Sequence, residues 1–293
     1  LGVVLPSFVI ILLVAAVLRS HGFSTALLRS LKKTYGALSR NGCPVRTVDP
    51  VHTGDMVAVE LNTDGATAPP SAEKAVIVYA DRDILVVNKR AGMAMYETYN
   101  HHGNALSNAV AAAGFDGPFR PIYRLDKDTS GLLLVAKNDQ SQLALSRQLQ
   151  ERQMEKHYRA LVEGNLREDS GRIDQPIARS KKDRKKMAID PEGRPSITDW
   201  TVLARGRNVT LLDVHILTGR THQIRVHMKS IGHPVCGDPI YGSGRGAKVP
   251  RLMLHAYTLS FTHPRTGERM TFTAPLPEEF VQGLRGNGVE WEK

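Results

Sequence analysis

Two charged residues, Arg124 and Asp126, stand two apart just before a run of turn-forming residues at 128–131. An apolar stretch, Leu132–Ala136, follows and predicts a strand. Side chains at i and i+2 of an extended chain face the same way, so we expect Leu125 to face away from both charges. A carboxylate held beside a cation on a rigid edge can serve as a reactive group. An ordinary hairpin with surface charges is the alternative.

A second carboxylate, Asp128, lies close to Asp126 in the sequence, and a pair of carboxylates is what glycosidic hydrolysis requires. Two residues apart in a tight turn, these groups are poorly placed to flank a bond from opposite sides. The spacing therefore does not favour a glycoside hydrolase.

The stretch Tyr123–Gly131, with the sequence YRLDKDTSG, resembles the signature of the RluA/RluD-type RNA pseudouridine synthases. Asp126 matches the catalytic aspartate of that family. The resemblance continues in register over roughly Val76–Pro275. It implies an α+β catalytic domain, built on a long, mixed, mostly antiparallel bent sheet flanked by helices, with an RNA cleft across it.

The strand predicted at Met154–Val162 contains Lys156 and Tyr158, which share a face by the two-residue period. A tyrosine in this position most simply packs in the core. The resemblance instead implies that Tyr158 stacks on the target base and is placed for proton transfer, with Lys156 as a substrate-binding neighbour. It also implies that Leu254 packs beside the base.

Arg225 follows an apolar strand and lies in a predicted helix, for which Thr221 is a natural N-cap. Ile224, Met228 and Ile231 give the helix its apolar spacing, and Gly232 ends it. By the resemblance, Arg225 pairs with the catalytic aspartate. Likewise, the arginine two residues before that aspartate, Arg124, fills the space that the flipped base leaves.

The chemistry that the resemblance implies breaks a carbon–nitrogen glycosidic bond, rotates the uracil and rejoins it through carbon 5. No atoms enter or leave, so we expect no cofactor and no metal. The histidines show neither HxxxH nor HExxH spacing, and the glycine-rich residues 242–248 lack the spacing of a phosphate loop. The reaction needs a carboxylate, a cationic partner and a wall for the detached base: Asp126, Arg225, and Tyr158 with Leu254.

The chain has 293 residues, with 39 Lys and Arg against 29 Asp and Glu, which gives a formal charge of +10. This balance favours a polyanionic partner, nucleic acid ahead of an anionic membrane surface. We expect RNA, with 23S ribosomal RNA ahead of transfer RNA. A catalytically silent RNA-binding protein is the alternative from another class. Two cysteines without CxxC spacing fit the cytoplasm, and we expect a monomer.

A basic cluster, Ser180–Lys186, lies in a predicted loop. A solvated run of charges is one interpretation of it. In an RNA enzyme, Lys181 and Lys182 would hold the phosphodiester backbone, and the resemblance to an RNA-clamping insert of the family favours that role.

The predicted domains are 1–62, a small S-four-like RNA-binding α+β domain, then a linker at 63–75 and the catalytic domain at 76–293. The apolar run Phe8–Leu18 is too short to span a bilayer and predicts a buried helix. Ser24 is expected to cap the next helix. That helix has apolar residues on one side and basic residues on another: Leu27, Leu28, Leu31, Arg29, Lys32 and Lys33.

Overall fold

The computed structural model describes residues 2–4, 12–23, 25, 28, 31, 38–59, 68–97, 103–183, 186–243, 247 and 249–291. Several predictions concern residues outside these ranges: the start of the apolar run at 8–11, part of the linker at 63–67, the glycine-rich positions 244–246 and 248, and Ser24, Leu27, Arg29, Lys32 and Lys33.

The strands of the described residues are β1 (Gly2–Val4), β2 (Leu12–Leu13), β3 (Leu38–Arg40), β4 (Cys43–Pro44), β5 (Pro50–Val51), β6 (Met56–Val59), β7 (Val76–Ala80), β8 (Ile84–Lys89), β9 (Arg120–Pro121), β10 (Ser130–Ala136), β11 (Glu155–Glu163), β12 (Ser170–Asp174), β13 (Ile177–Arg179), β14 (Met187–Ile189), β15 (Ile197–Arg205), β16 (Val209–Ile216), β17 (Leu254–Thr262) and β18 (Arg269–Thr273). The helices are α1 (Val14–Ser20), α2 (Leu106–Ala112), α3 (Asp139–Gln150), α4 (Gln223–Ser230) and α5 (Glu278–Gly286). No helix in the described ranges has both the length and the apolar character needed to cross a membrane.

The main sheet has ten strands, in the order β12-β15-β16-β11-β17-β10-β8-β7, with β18 on β17 and β9 on β10. Its β10–β17 pair is parallel and its other described pairs are antiparallel. Strand β10 is buried along its whole length: Leu133 and Val135 join one hydrophobic cluster, and Leu132 and Leu134 join another. Burial of both faces explains its unbroken apolar run. The predicted α+β class with a mixed, mostly antiparallel sheet is confirmed.

Gly131 permits the close approach of β10 and β17. Its φ is +109°, and a Cβ at this position would lie 2.1 Å from the carbonyl oxygen of Ala256. Only glycine combines that conformation with that contact. The approach brings the segment that carries Asp126 beside Leu254, the first residue of β17.

A second sheet, β1-β6-β3-β4, and the β2–β5 pair lie in the N-terminal region. The buried helix expected over Phe8–Leu18 is confirmed at Val14–Leu18, where α1 lies, but it is wrong at Leu12–Leu13, which is a strand paired with Pro50–Val51. Backbone pairing with β5 outweighs the helical preference of the apolar run. The buried side chains of this region form their own cluster: Val14, Val17, Leu18, Phe23, Leu28, Leu31, Leu38, Val51, Val57 and Val59.

The described end of the predicted linker is attached to α2. The Asn108 side-chain amide donates to the carbonyl of Pro69 at 2.7 Å, and the Ala75 amide donates to the carbonyl of Ala109 at 2.8 Å. These bonds hold residues 69–75 against the catalytic region, so this stretch is not a free spacer.

Candidate active site

A cleft of about 710 Å³ opens where the segment before β10, the end of α3, strand β11 and the start of α4 converge. Six of the predicted site residues line it: Arg124, Asp126, Lys156, Tyr158, Arg225 and Leu254. These residues come from stretches far apart in sequence. The sheet and α4 therefore assemble a single site from separate motifs.

Arg225 connects two carboxylates at the base of the cleft. Its Nη1 donates to Oδ2 of Asp126 at 3.1 Å, while Nε and Nη2 donate to the two carboxylate oxygens of Asp238 at 2.7 and 2.8 Å. The arginine side chain is only 3% exposed. Burial lowers the pKa of Arg225, but Asp238 and Asp126 outweigh it and raise that pKa above its usual value. The guanidinium therefore stays charged, and its planar fork fixes where Asp126 can lie.

The start of α4 places Arg225 in the first helical turn, as predicted, but the capping residue is not Thr221. The N-cap is His222, in the left-handed conformation with φ 56° and ψ 21°. No side chain caps this helix; instead, the Oε1 of Gln223, its first residue, accepts from the Arg220 amide at 3.0 Å and from the Thr218 hydroxyl at 2.7 Å. A side-chain network from neighbouring strands thus shapes this helix start.

His222 approaches the same carboxylate oxygen as Arg225, with Nε2 3.9 Å from Oδ2 of Asp126. Its Nδ1 lies 2.8 Å from the hydroxyl of Tyr241, and that hydroxyl accepts a hydrogen bond from the Met187 amide at 2.8 Å. The hydroxyl hydrogen is then available for Nδ1, an arrangement that favours the ring proton on Nε2. Burial lowers the pKa of His222, which favours the neutral ring at pH 7.

The two oxygens of Asp126 differ in their surroundings. Oδ2 faces Arg225 and His222. Oδ1 has no hydrogen-bond donor among the described residues. The free oxygen is therefore the one available to a bound nucleotide.

Tyr158 lies in β11 between Val214 of β16 and Ala256 of β17, and it is 5% exposed. Burial, with a smaller contribution from the Asp126 carboxylate, raises the pKa of this phenol well above its usual value. The hydroxyl therefore stays protonated at neutral pH and can donate. Leu254, 3% exposed, adds an apolar wall to the same cleft.

The two lysines of the basic loop do not line the cleft. Lys181 and Lys182 lie between β13 and β14. The Lys181 side chain is 78% exposed, and its ammonium is 3.6 Å from Asp190 and 3.5 Å from Glu192. The structure therefore separates these residues from the group around Asp126.

Sequence reasoning missed Asp238, His222 and Tyr241, which position Arg225 and Asp126. It also gave no role to Lys89, although the stretch Asn88–Met93, with the sequence NKRAGM, resembles the first catalytic-domain motif of the family. Lys89 is 1% exposed, and its ammonium donates to the carbonyls of Arg90, Met93 and Lys127 at 2.9, 2.9 and 2.8 Å. It therefore connects that motif to the residue after Asp126. Its place in the motif was the signal that could have identified it.

Another group of polar residues, Asp81, Asp83 and His263, has its ligand-type atoms within 4.8 Å of one another. Asp81 accepts from Tyr79 and lies 2.9 Å from the ring of His263, while Asp83 pairs with Arg265. These partners identify a structural hydrogen-bond cluster that joins the β7–β8 turn to the β17–β18 turn.

Comparison with known proteins gives consistent matches. Residues 83–230 match the family model described as RNA pseudouridylate synthase. The uncharacterized RNA pseudouridine synthase YlyB of Bacillus subtilis is 42% identical over 267 residues, covering 86% of this chain and 87% of that protein. The ribosomal large subunit pseudouridine synthase D of Pseudomonas aeruginosa is 38% identical over 265 residues, covering 84% of this chain and 82% of that protein.

A solved structure, human RNA pseudouridylate synthase domain containing 1, has 33% identity and a TM-score of 0.61, with coverage of 76% of this chain and 99% of that one. Its fold and the sequence matches together define the class: a pseudouridine synthase, which is an isomerase acting on RNA. The chain belongs to the RluA/RluD-type family of RNA pseudouridine synthases, and the resemblance found in its sequence is confirmed.

Proposed function

We propose that this enzyme converts specific uridines of structured RNA to pseudouridine through Asp126, and that its substrate is 23S ribosomal RNA. The ion pair between Asp126 and Arg225, beside Tyr158 in one cleft, is the observation that carries the assignment of the site. The relative named for the large ribosomal subunit supports the choice of RNA.

The geometry assigns different tasks to the two carboxylate oxygens of Asp126. Arg225 holds Oδ2, so Oδ1 reacts with the nucleotide. Attack on the anomeric carbon, addition to the base and removal of a ribose proton all need an oxygen that protein donors leave free. Orienting a reactive group in this way lowers the entropic part of the barrier.

The cleft walls hold the uracil while its glycosidic bond is broken. We assign stacking on the base to Tyr158 and apolar contact to Leu254. Flipping a uridine out of structured RNA costs on the order of a few kcal/mol. Arg124 is exposed next to Asp126 and has no ion pair among the described residues. It is therefore free to fill the gap in the RNA stack.

The charge of the cleft supports RNA as the partner. Its only lining carboxylate among the described residues is Asp126, and Arg225 neutralises it. Four other cations line the cleft and have no carboxylate partner among the residues that the structure describes: Arg124, Arg152, Lys156 and Arg220. Cations without internal partners favour contact with phosphates.

Release of tritium from RNA labelled at carbon 5 of uridine tests the activity. The enzyme exchanges that hydrogen during isomerisation, whereas a silent RNA-binding protein releases none. Pseudouridine mapping in cells with and without this protein then identifies the RNA. Loss of sites in 23S ribosomal RNA supports the proposal, and loss confined to transfer RNA contradicts the substrate.

The same proposal includes a monomer acting in the cytoplasm, with residues 1–62 as an S-four-like RNA-binding domain, 63–75 as a linker and 76–293 as the catalytic domain. The separate hydrophobic cluster of the N-terminal region supports that division. Limited proteolysis should cut first in the part of 63–75 that precedes Pro69, and light scattering should report one chain per particle. Early cleavage within β10 or β11, or a dimer mass, would count against it.

A further inference from the structure

Lys156 is a buried cation that faces an aromatic ring and has no hydrogen-bond acceptor within the part of the chain that the structure describes. It is 5% exposed, and its ammonium makes no hydrogen bond or ion pair with any described residue. The Nζ atom lies 5.4 Å from the centroid of the Tyr123 ring, and a Cβ at Gly219 would lie 4.0 Å from it. Tyr123 and Gly219 both line the cleft, so the ammonium faces its interior.

The lack of a hydrogen-bond acceptor destabilises the free protein, and the cation–π contact with Tyr123 offsets only part of that cost. Burial alone lowers the pKa of Lys156 to about 8, so the group is still charged at pH 7. An unpaired buried charge is strongly unfavourable. The equally buried Lys89 shows how this chain otherwise satisfies such a group, with three carbonyl acceptors. The difference between the two lysines indicates that Lys156 is reserved for an acceptor from outside the protein.

Two arginines add positive charge to the same cleft. Arg152 follows α3 in the left-handed conformation, with φ 58°, and Arg220 donates through Nε to the carbonyl of Pro195 at 3.2 Å. Burial lowers the pKa of Arg220, and the charges of Arg194 and Arg152 lower it further. Like charges that line one cleft repel one another in the free protein. A bound anion with several acceptor oxygens removes that repulsion.

We propose that Lys156, with Arg152 and Arg220, forms a subsite for a phosphodiester group next to the target uridine. This assignment rests on the proposed function. A uracil ring matches the three cations poorly, because it is neutral, offers only two carbonyl acceptors and brings an N–H donor that the cations cannot accept. Lys156 lies two residues before Tyr158 on the same face of β11, and its ammonium faces Tyr123 and Gly219. Two residues of a strand span about 6–7 Å, so Lys156 lies beside the position assigned to the base, where a backbone phosphate would be.

A thermodynamic cycle tests the subsite. The RNA probes are hairpins in which one of the two phosphates flanking the target uridine is replaced by a neutral methylphosphonate. Their affinities for the Asp126→Asn enzyme are measured, because this variant should not turn the RNA over. We expect one replacement to weaken binding roughly 10- to 100-fold, as the loss of a charged hydrogen bond does. Lys156→Met should weaken binding of the unmodified RNA by a similar factor. Lys156→Met combined with the methylphosphonate RNA should then weaken binding little more than either change alone.

Two matched variants isolate the contribution of the Lys156 charge. Arg285→Met removes a cation that lines a different cavity, near α5, and should leave the methylphosphonate effect at its full size. Lys156→Arg keeps the charge and should retain most of the affinity if the group binds phosphate. A methylphosphonate effect of equal size with and without the Lys156→Met substitution would overturn the subsite. Tritium release by the otherwise unmodified enzyme reports separately on the isomerase assignment, so either idea can fail alone.

Discussion

The cluster around Arg225 and the loop between β13 and β14 both concentrate charge, but they do so in opposite ways. Arg225 is 3% exposed and gives three N–H donors to two carboxylates at 2.7–3.1 Å. Lys181 is 78% exposed and approaches its acidic neighbours only to 3.5 and 3.6 Å. One region orients a single carboxylate, whereas the other offers loosely held charge at the surface.

This difference separates catalysis from affinity. A buried, hydrogen-bonded ion pair has one geometry, and breaking it leaves an uncompensated charge. An exposed lysine exchanges water and partners freely and contributes little to folding. We therefore expect changes in the Arg225 cluster to alter stability and turnover, and changes in the loop to alter the salt dependence of RNA binding.

The largest effect on stability is expected for Asp238→Ala, because this carboxylate holds two of the three Arg225 donors and its side chain is fully buried. Urea denaturation should show a loss of roughly 3–5 kcal/mol. The control is Asp199→Ala, which breaks a bidentate pair with Arg172 whose side chains are 31% and 59% exposed. It should cost no more than about 1 kcal/mol. Similar losses in both variants would remove the distinction between buried and exposed pairs.

Tyr158→Phe should reduce kcat by about 100-fold or more if the phenol transfers a proton, as the resemblance implies, because the change deletes the hydroxyl and keeps the ring. The dissociation constant for RNA should change little. Single-turnover tritium release and fluorescence anisotropy measure the two quantities. Tyr257→Phe removes a hydroxyl outside the cleft and should leave turnover intact. Full kcat in the Tyr158→Phe enzyme would limit the tyrosine to stacking.

Lys181→Ala combined with Lys182→Ala should have the smallest effect on the enzyme itself. Stability and kcat at saturating RNA should stay close to those of the wild type. The slope of log affinity against log salt should become shallower by about 0.7–0.9 for each phosphate that the variant no longer binds. If the slope between about 50 and 200 mM salt is unchanged, the loop does not hold RNA.

The local periodicity of the sequence was enough to predict much of the fold near the site. The two-residue period placed Lys156 and Tyr158 on one face of a strand, and both line the cleft. The unbroken apolar run of β10 predicted a strand correctly. At Phe8–Leu18, by contrast, a short apolar run cannot distinguish helix from strand, and the helix prediction was wrong at Leu12–Leu13.

Contacts between distant residues lay beyond any local pattern. Asp126 and Arg225 are 99 residues apart, and only the resemblance to the family indicated their pairing. Nothing in the sequence near Asp238 shows that it holds Arg225. Thr221 failed as a predicted cap because Gln223 is fixed by residues of other segments. Side chains that position the reactive group through tertiary contacts were therefore the part that required the structure.

Asp126→Asn is the most direct test of the central claim that one carboxylate, held by Arg225, carries out the isomerisation. Asparagine keeps the size of the side chain and can still contact its neighbours, but it lacks the charge. We predict that tritium release from uridine-labelled RNA falls to background, while RNA affinity stays within about a few fold of wild type because phosphate contacts dominate binding. Turnover at the wild-type rate by this variant would contradict the account.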